Sequence, residues 1–268
     1  RQQATRYVSP EMTGIEALDD HGRWESDASY GSIWYPRVAV GWAPYRFGHW
    51  AWIGPWGWTW IDDAPWGFAP FHYGRWVDIG GRWGWVPGRY VPRPVYAPAL
   101  VGFYGGGPRF GVNVSIGIGN VGWFPLGPAE VYRPVYGASI NYVRQVNVTH
   151  VTNVTQITNI YNAPRAMDHY RYAHRPDAAT FVPGRVFSGA RPVAPALQPV
   201  DPVRFGRLPV APRPVLPGRP EQPSPLPAQP PRPNSPFPVQ PPRQTAPSPA
   251  QPGDPRGVAS RAADRAGT

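Results

Sequence analysis

The chain has 268 residues, no cysteine and no lysine, and its 26 arginines against 16 acidic residues give a net charge of +10. Without Cys there is no disulfide framework, iron–sulfur cluster or thiol nucleophile; without Lys there is no Schiff base and no Walker-type phosphate loop. Its 40 Pro and 30 Gly each cost roughly 1–3 kcal/mol inside a helix, which argues against a long helical bundle. Residues 1–63 hold 5 Arg and 8 acids, and residues 64–268 hold 21 Arg and 8 acids, so the positive charge lies wholly in the second part. Arginine in such excess suits phosphates and carboxylates, and solubility of a Pro-rich tail accounts for it equally well. No run of 18 apolar residues is present, so no bilayer-spanning helix is expected. A start at Arg1 is expected of a processed or partial chain.

Residues 1–20 form a lead segment, and a Trp-rich repeat domain is expected over 21–136. All 13 Trp lie between Trp24 and Trp123. Gly22-Arg23-Trp24, Gly48-His49-Trp50 and Gly74-Arg75-Trp76 follow one another at intervals of 26 residues, and a second Trp follows each: Trp34, Trp60 and Trp85. The lead-in repeats too, as Gly41-Trp42-Ala43-Pro44-Tyr45 and Gly67-Phe68-Ala69-Pro70-Phe71. Alternation places Trp50 with Trp52, and Trp83 with Trp85, on single faces of extended segments. Ile53-Gly54-Pro55 and Ile79-Gly80-Gly81-Arg82 between them read as hairpin turns. Tyr45, Phe47 and His49 fall out of phase with Trp50, which predicts a strand that bends at Gly48 and again at Gly74. The fold class expected is all-β: a curled antiparallel meander of Trp-rich hairpins, about six strands at two per repeat, followed by a disordered Pro-rich tail. Few Leu or Ile share the work of the core, so most of the Trp belong there.

Farther along, Val112–Ile118 alternates as one more strand, and Val121–Tyr136 supplies a last aromatic layer. Residues 137–190 form a Val/Thr/Asn-rich connector. Val148, Val151, Val154, Ile157 and Ile160 recur every three residues, leaving strand and helix both open for 140–161. Residues 191–268 form the Pro/Arg-rich tail. From Pro192 it holds 23 Pro and two aromatics in 77 residues, too little apolar area to offset the entropy of ordering.

Chemistry-bearing patterns are sparse. Gly117-Ile118-Gly119-Asn120-Val121-Gly122 has dinucleotide-loop spacing, but Trp-Phe-Pro follows where a helix must start, so a turn is expected. Asp62-Asp63 reads as a solvated turn. His49 and His72 are placed better as polar neighbours of Trp than as metal ligands. Asn113, Asn147 and Asn153 head glycosylation triplets and are expected to be silent. No Ser-His-acid set is suggested by spacing. No catalytic, cofactor or metal residue is expected, and the chain reads as a non-enzyme. If a minority of aromatics face water, Trp52, Trp56, Trp66, Tyr73, Arg75 and Arg82 are the candidates for stacking on a ligand.

The motifs Gly41-Trp42-Ala43-Pro44-Tyr45, Trp58-Thr59-Trp60, Pro65-Trp66-Gly67-Phe68-Ala69-Pro70-Phe71-His72-Tyr73-Gly74-Arg75-Trp76 and Gly84-Trp85-Val86-Pro87-Gly88 closely resemble a bacterial family, domain of unknown function 6600, from about Tyr7 to Tyr136. The resemblance implies exported envelope proteins of Gram-negative bacteria, some with a FecR-like domain, and brings no catalytic residues with it. The expected role is a non-enzymatic scaffold or interaction protein of the periplasm or outer envelope. Its expected partners are peptidoglycan, other envelope glycans or envelope proteins. A glycan-binding module is the alternative, and an Arg-driven nucleic-acid or lipopolysaccharide binder ranks last.

Overall fold

A computed structural model of the chain describes residues 3–105, 119–199, 205–206, 208–211, 213–214 and 216. Three hairpins carry the G-x-W motifs: β1 (Gly22–Asp27) with β2 (Gly31–Pro36), β3 (Gly48–Ile53) with β4 (Gly57–Asp62), and β5 (Arg75–Ile79) with β6 (Arg82–Val86). Their turns follow from sequence. The Asp27 carboxylate accepts Ser29 and Tyr30 N–H at 2.7 and 3.0 Å and Gly31 takes a positive φ of 73°, an Asx turn. Gly80 and Gly81, with φ of 60° and 81°, close β5 and β6 in the two-residue turn whose twist matches the strands.

In each hairpin the two repeating Trp stand directly opposite one another: Trp24 and Trp34, Trp50 and Trp60, Trp76 and Trp85. The glycine two residues before the first Trp exists because of the second. A Cβ at Gly22 would stand 2.3 Å from the Trp34 ring, at Gly48 2.8 Å from the Trp60 ring, and at Gly74 2.4 Å from Trp85 Nε1. The indole lies across the bare backbone and its N–H reaches an acceptor beyond, Leu18 O for Trp34 and Tyr73 O for Trp85, at 3.0 and 2.8 Å.

The architecture is largely antiparallel sheet, but the hairpins do not run on as one meander. The first and third join edge to edge in the order β1-β2-β6-β5, through Trp34 opposite Trp85, while β3 and β4 form a two-stranded sheet of their own. Trp24, Trp34, Trp85 and Trp76 thus form one row across four strands. The strand expected to bend at Gly48 and Gly74 does not form. Residues 41–47 are turns, with Tyr45 at φ 61°, and α2 (Phe68–His72; α1 is the single turn Leu18–His21) occupies the matching place. The Pro in each lead-in lacks the donor a strand needs. The two copies still meet: Tyr45 and Phe71 stack edge to face at 4.8 Å, and the Tyr45 hydroxyl donates to Phe71 O.

A second four-stranded sheet runs β10-β7-β8-β9, with β7 at Val101–Tyr104, β8 at Asn120–Pro125, β9 at Thr180–Pro183 and β10 at Val210–Ala211. Its β8 takes in Asn120, Val121 and Gly122, where a turn was expected. The Phe181 ring lies across Gly122 as the Trp rings lie across theirs. The strand expected over 112–118 lies outside the described residues.

The ambiguous stretch after residue 137 is helical: α3 (Ile140–Asn147) and α4 (Val154–Asn162). Ser139 and Asn153 cap them, each side chain accepting the N–H three residues on. Such caps contribute about 1 kcal/mol each, enough to offset several β-branched residues. The core also runs past both boundaries expected at 136 and 191. Tyr172, Phe181, Phe187 in α5 (Gly184–Ser188), Val193, Phe205 and Leu208 are all buried in it. The tail's residues beyond 216 lie outside the described residues.

Candidate interaction surface

Nine of the thirteen Trp are buried, Trp24, Trp42 and Trp56 are half-buried, and Trp52 is 52 % exposed. Packing explains the difference. Trp50, one alternation inward from Trp52, is enclosed by Trp60, Phe103, Trp123 and Phe187 with ring centroids 5.1 to 5.5 Å away. Trp52, near the tip of the β3–β4 hairpin, meets Trp58 edge to face at 5.4 Å and leaves its other side to solvent. Trp56 turns the opposite way, against Tyr96, Tyr136 and Tyr142.

The six stacking candidates therefore separate. Trp52 is open, and Trp56 is open in part. Arg82 is exposed, lies 4.1 Å over the Tyr35 ring and pairs with Glu25 at 3.0 Å, so it forms part of the outer face of the β1-β2-β6-β5 sheet. Trp66, Tyr73 and Arg75 are buried and meet no ligand from solvent. Trp66 packs on Trp34, Trp42 and Phe71.

Arg75 is the arginine of the third G-x-W motif. Its guanidinium donates to Glu130 O at 3.1 and 3.0 Å, to Gly74 O at 2.7 Å and to Asn147 Oδ1 at 2.8 Å. Asn147 is fully used: its Oδ1 also accepts Tyr132 N–H, and its amide donates to Tyr132 O and Val143 O. Burial pushes the Arg75 guanidinium down to about 10, so it stays charged at neutral pH. The backbone carbonyls solvate the charge in place of water, and the arginine ties the third hairpin to α3. In the sequence Asn147 carries no signal beyond its glycosylation triplet. Burial closes it to that modification.

These G-x-W and Pro-Trp-Gly-Phe-Ala-Pro motifs, with their hairpins, lie within a stretch that resembles a known family. Residues 15–130 match the Family of unknown function (DUF6600). No curated protein and no solved structure matches the chain. The matched DUF6600 region ends at Glu130, whose carboxylate accepts the N–H groups of Gly127 and Arg171. The region is thus fastened to residues that follow it.

His72 is buried with Nδ1 2.8 Å from Ala97 O, and burial lowers it to about 4. His49 and Asp62 sit on opposite faces of the β3–β4 ribbon by register. Among the described residues no three His, Asp or Glu converge on a metal-sized site.

Asp62 is not the solvated turn residue expected. It ends β4 half-buried beneath Gly67, and its carboxylate accepts Trp60 Nε1–H and Ala64 N–H, both at 3.0 Å. Burial raises it to about 7. The folded state therefore binds a proton that the unfolded chain, near the usual aspartate value of about 4, has released. Asp62 lowers stability progressively as pH rises from about 4 to about 7. Asp62→Asn should be flatter than wild type over that range in urea titrations. Parallel curves from pH 4 to 7 would refute this.

Proposed function

We propose that this chain is a non-enzymatic scaffold or interaction protein of the cell envelope. Its three hairpins are copies of one 26-residue unit, and the Pro-rich sequence beyond the domain is its spacer. The observation that carries this reading is the use of the indoles: nine are buried together, so the aromatic richness serves mainly to make a rigid module. The family resemblance adds export and the envelope. Fractionation of the native cells, followed with an antibody to the chain, tests the location. Recovery in the periplasmic or envelope fraction is expected, and a cytoplasmic pool would overturn it.

Trp52 favours a second reading, glycan binding. A half-exposed indole at a hairpin tip offers a flat apolar face to a sugar ring, and peptidoglycan is the expected envelope glycan. On this reading the chain co-sediments with purified sacculi and Trp52→Ala lowers the bound fraction at least several-fold while near-UV circular dichroism is unchanged. Equal binding by the variant, or no co-sedimentation at low salt, would dismiss it.

A further inference from the structure

Outer strands of a sheet carry unpaired backbone groups that must be covered or left as a template for another chain. Among the described residues, every outer strand but β1 has at least one backbone group taken up outside its sheet. β5 gives Trp76 N–H to Leu126 O and Asp78 N–H to the Tyr172 hydroxyl, at 3.0 and 2.8 Å. β3 accepts Val193 N–H at Gly48 O, and β4 gives Trp60 N–H to Pro98 O. β9 accepts Gln198 N–H at Phe181 O, and β10 is two residues long with Val210 N–H on the Asp168 carboxylate. β1 is different. Among the described residues, its six-residue backbone is hydrogen-bonded to β2 alone.

The side chains of β1 also select a partner. Arg23, Glu25 and Asp27 share one face, and Trp24 points to the other. If two copies of β1 meet antiparallel with their Trp faces on the same side, the pairing can centre on residue 23, 24, 25 or 26. Centring on 23 sets Arg against Arg. Centring on 25 sets Glu against Glu, and centring on 26 sets Glu25 against the partner's Asp27. Centring on 25 also sets Arg23 against the partner's Asp27, so centring on 24 is distinguished as the register that sets opposite charges across the seam with no like pair. Like charges directly opposite destabilise a pair and unlike charges stabilise it. The same register continues the row Trp24, Trp34, Trp85 and Trp76 into the partner's Trp24, repeating the Trp34–Trp85 junction that already joins two hairpins edge to edge.

We propose that β1 pairs antiparallel with β1 of a second copy, Trp24 opposite Trp24 of the partner subunit and Arg23 opposite the partner's Glu25. The two four-stranded sheets become one of eight strands. Edges guarded by charges of one sign repel a second copy; β1 carries both signs, and Arg23 against the partner's Glu25 complements one.

Light scattering on the eluting full-length chain should give twice the chain mass of 29.6 kDa. Glu25→Arg and Arg23→Glu each place like charges across the seam and should elute as monomers. Glu25 and Arg23, 39 % and 66 % accessible, pair with each other at 2.6 Å and Glu25 also with Arg82; exposed pairs of this kind contribute little to stability, so both variants should keep the wild-type near-UV circular dichroism. Mixing the two variants in equal amounts restores opposite charges at both contacts and should return the doubled mass. A monomeric wild type, a dimer in either single variant, or a native-like mixture that stays monomeric would each overturn the proposal.

Discussion

A chain ending at Tyr136 should lack cooperative unfolding and near-UV circular dichroism, although it contains every Trp and the whole DUF6600 match. The reason lies in what residues 137–211 fill. Phe187 packs on Trp50, Trp58 and Trp123 with centroids at 5.1, 4.6 and 5.9 Å. Tyr172 packs on Trp83 at 4.9 Å and takes the Asp78 N–H. β8 loses its partner β9, and Arg75 loses Asn147. Each large aromatic removed from a core costs about 3–5 kcal/mol, against a total stability of about 5–15 kcal/mol for a domain. A chain ending at 216 keeps all these groups and should unfold in one sharp urea transition. A cooperative, native-like 1–136 fragment would contradict the packing described.

Gly74→Ala should be the most damaging of three matched glycine substitutions, at about 2–5 kcal/mol, because two penalties meet there. Gly74 has a φ of 68°, and its Cβ would stand 2.4 Å from Trp85 Nε1 and 2.5 Å from Val86 O. The carbonyl belongs to a strand and cannot move aside. Gly31 has the same left-handed backbone, φ 73°, but open space around it, so Gly31→Ala should cost about 1–2 kcal/mol. Gly22 has ordinary extended backbone, φ −160°, with the Trp34 ring 2.3 Å from its Cβ; overpacking of about 1–3 kcal/mol is expected. Urea midpoints of the three variants test this order. A Gly31→Ala loss as large as that of Gly74→Ala would show that backbone conformation, not the indole, sets the need for glycine.

The hairpins were legible because their signals are local. Glycine at fixed distance from Trp, Gly80-Gly81 between alternating strands, and a Trp spacing that survives repetition all act within one unit. The order β1-β2-β6-β5 was not legible, since nothing in the first and third units says that Trp34 meets Trp85 rather than a residue of the second. The lead-in repeats misled for a related reason: identical letters, Gly-aromatic-Ala-Pro-aromatic, fold as turns at 41–45 and as a helix at 68–72 because their tertiary neighbours differ. Composition set the domain end too early. The aromatics after residue 136 are few and spaced apart, yet Tyr172, Phe181, Phe187 and Phe205 all go inward. Of the stacking candidates, Trp52 and Trp66 carry equal hydrophobic weight in sequence, and depth within the hairpin stack separates them.

The indoles hold the module together rather than face solvent. Acrylamide quenching of the native full-length chain tests this directly. The quenchable fraction should be small, and Trp52→Phe should remove most of it, leaving emission that opens to quencher only in denaturant. Ready quenching of most of the tryptophan emission in the folded protein, little changed by Trp52→Phe, would contradict the account.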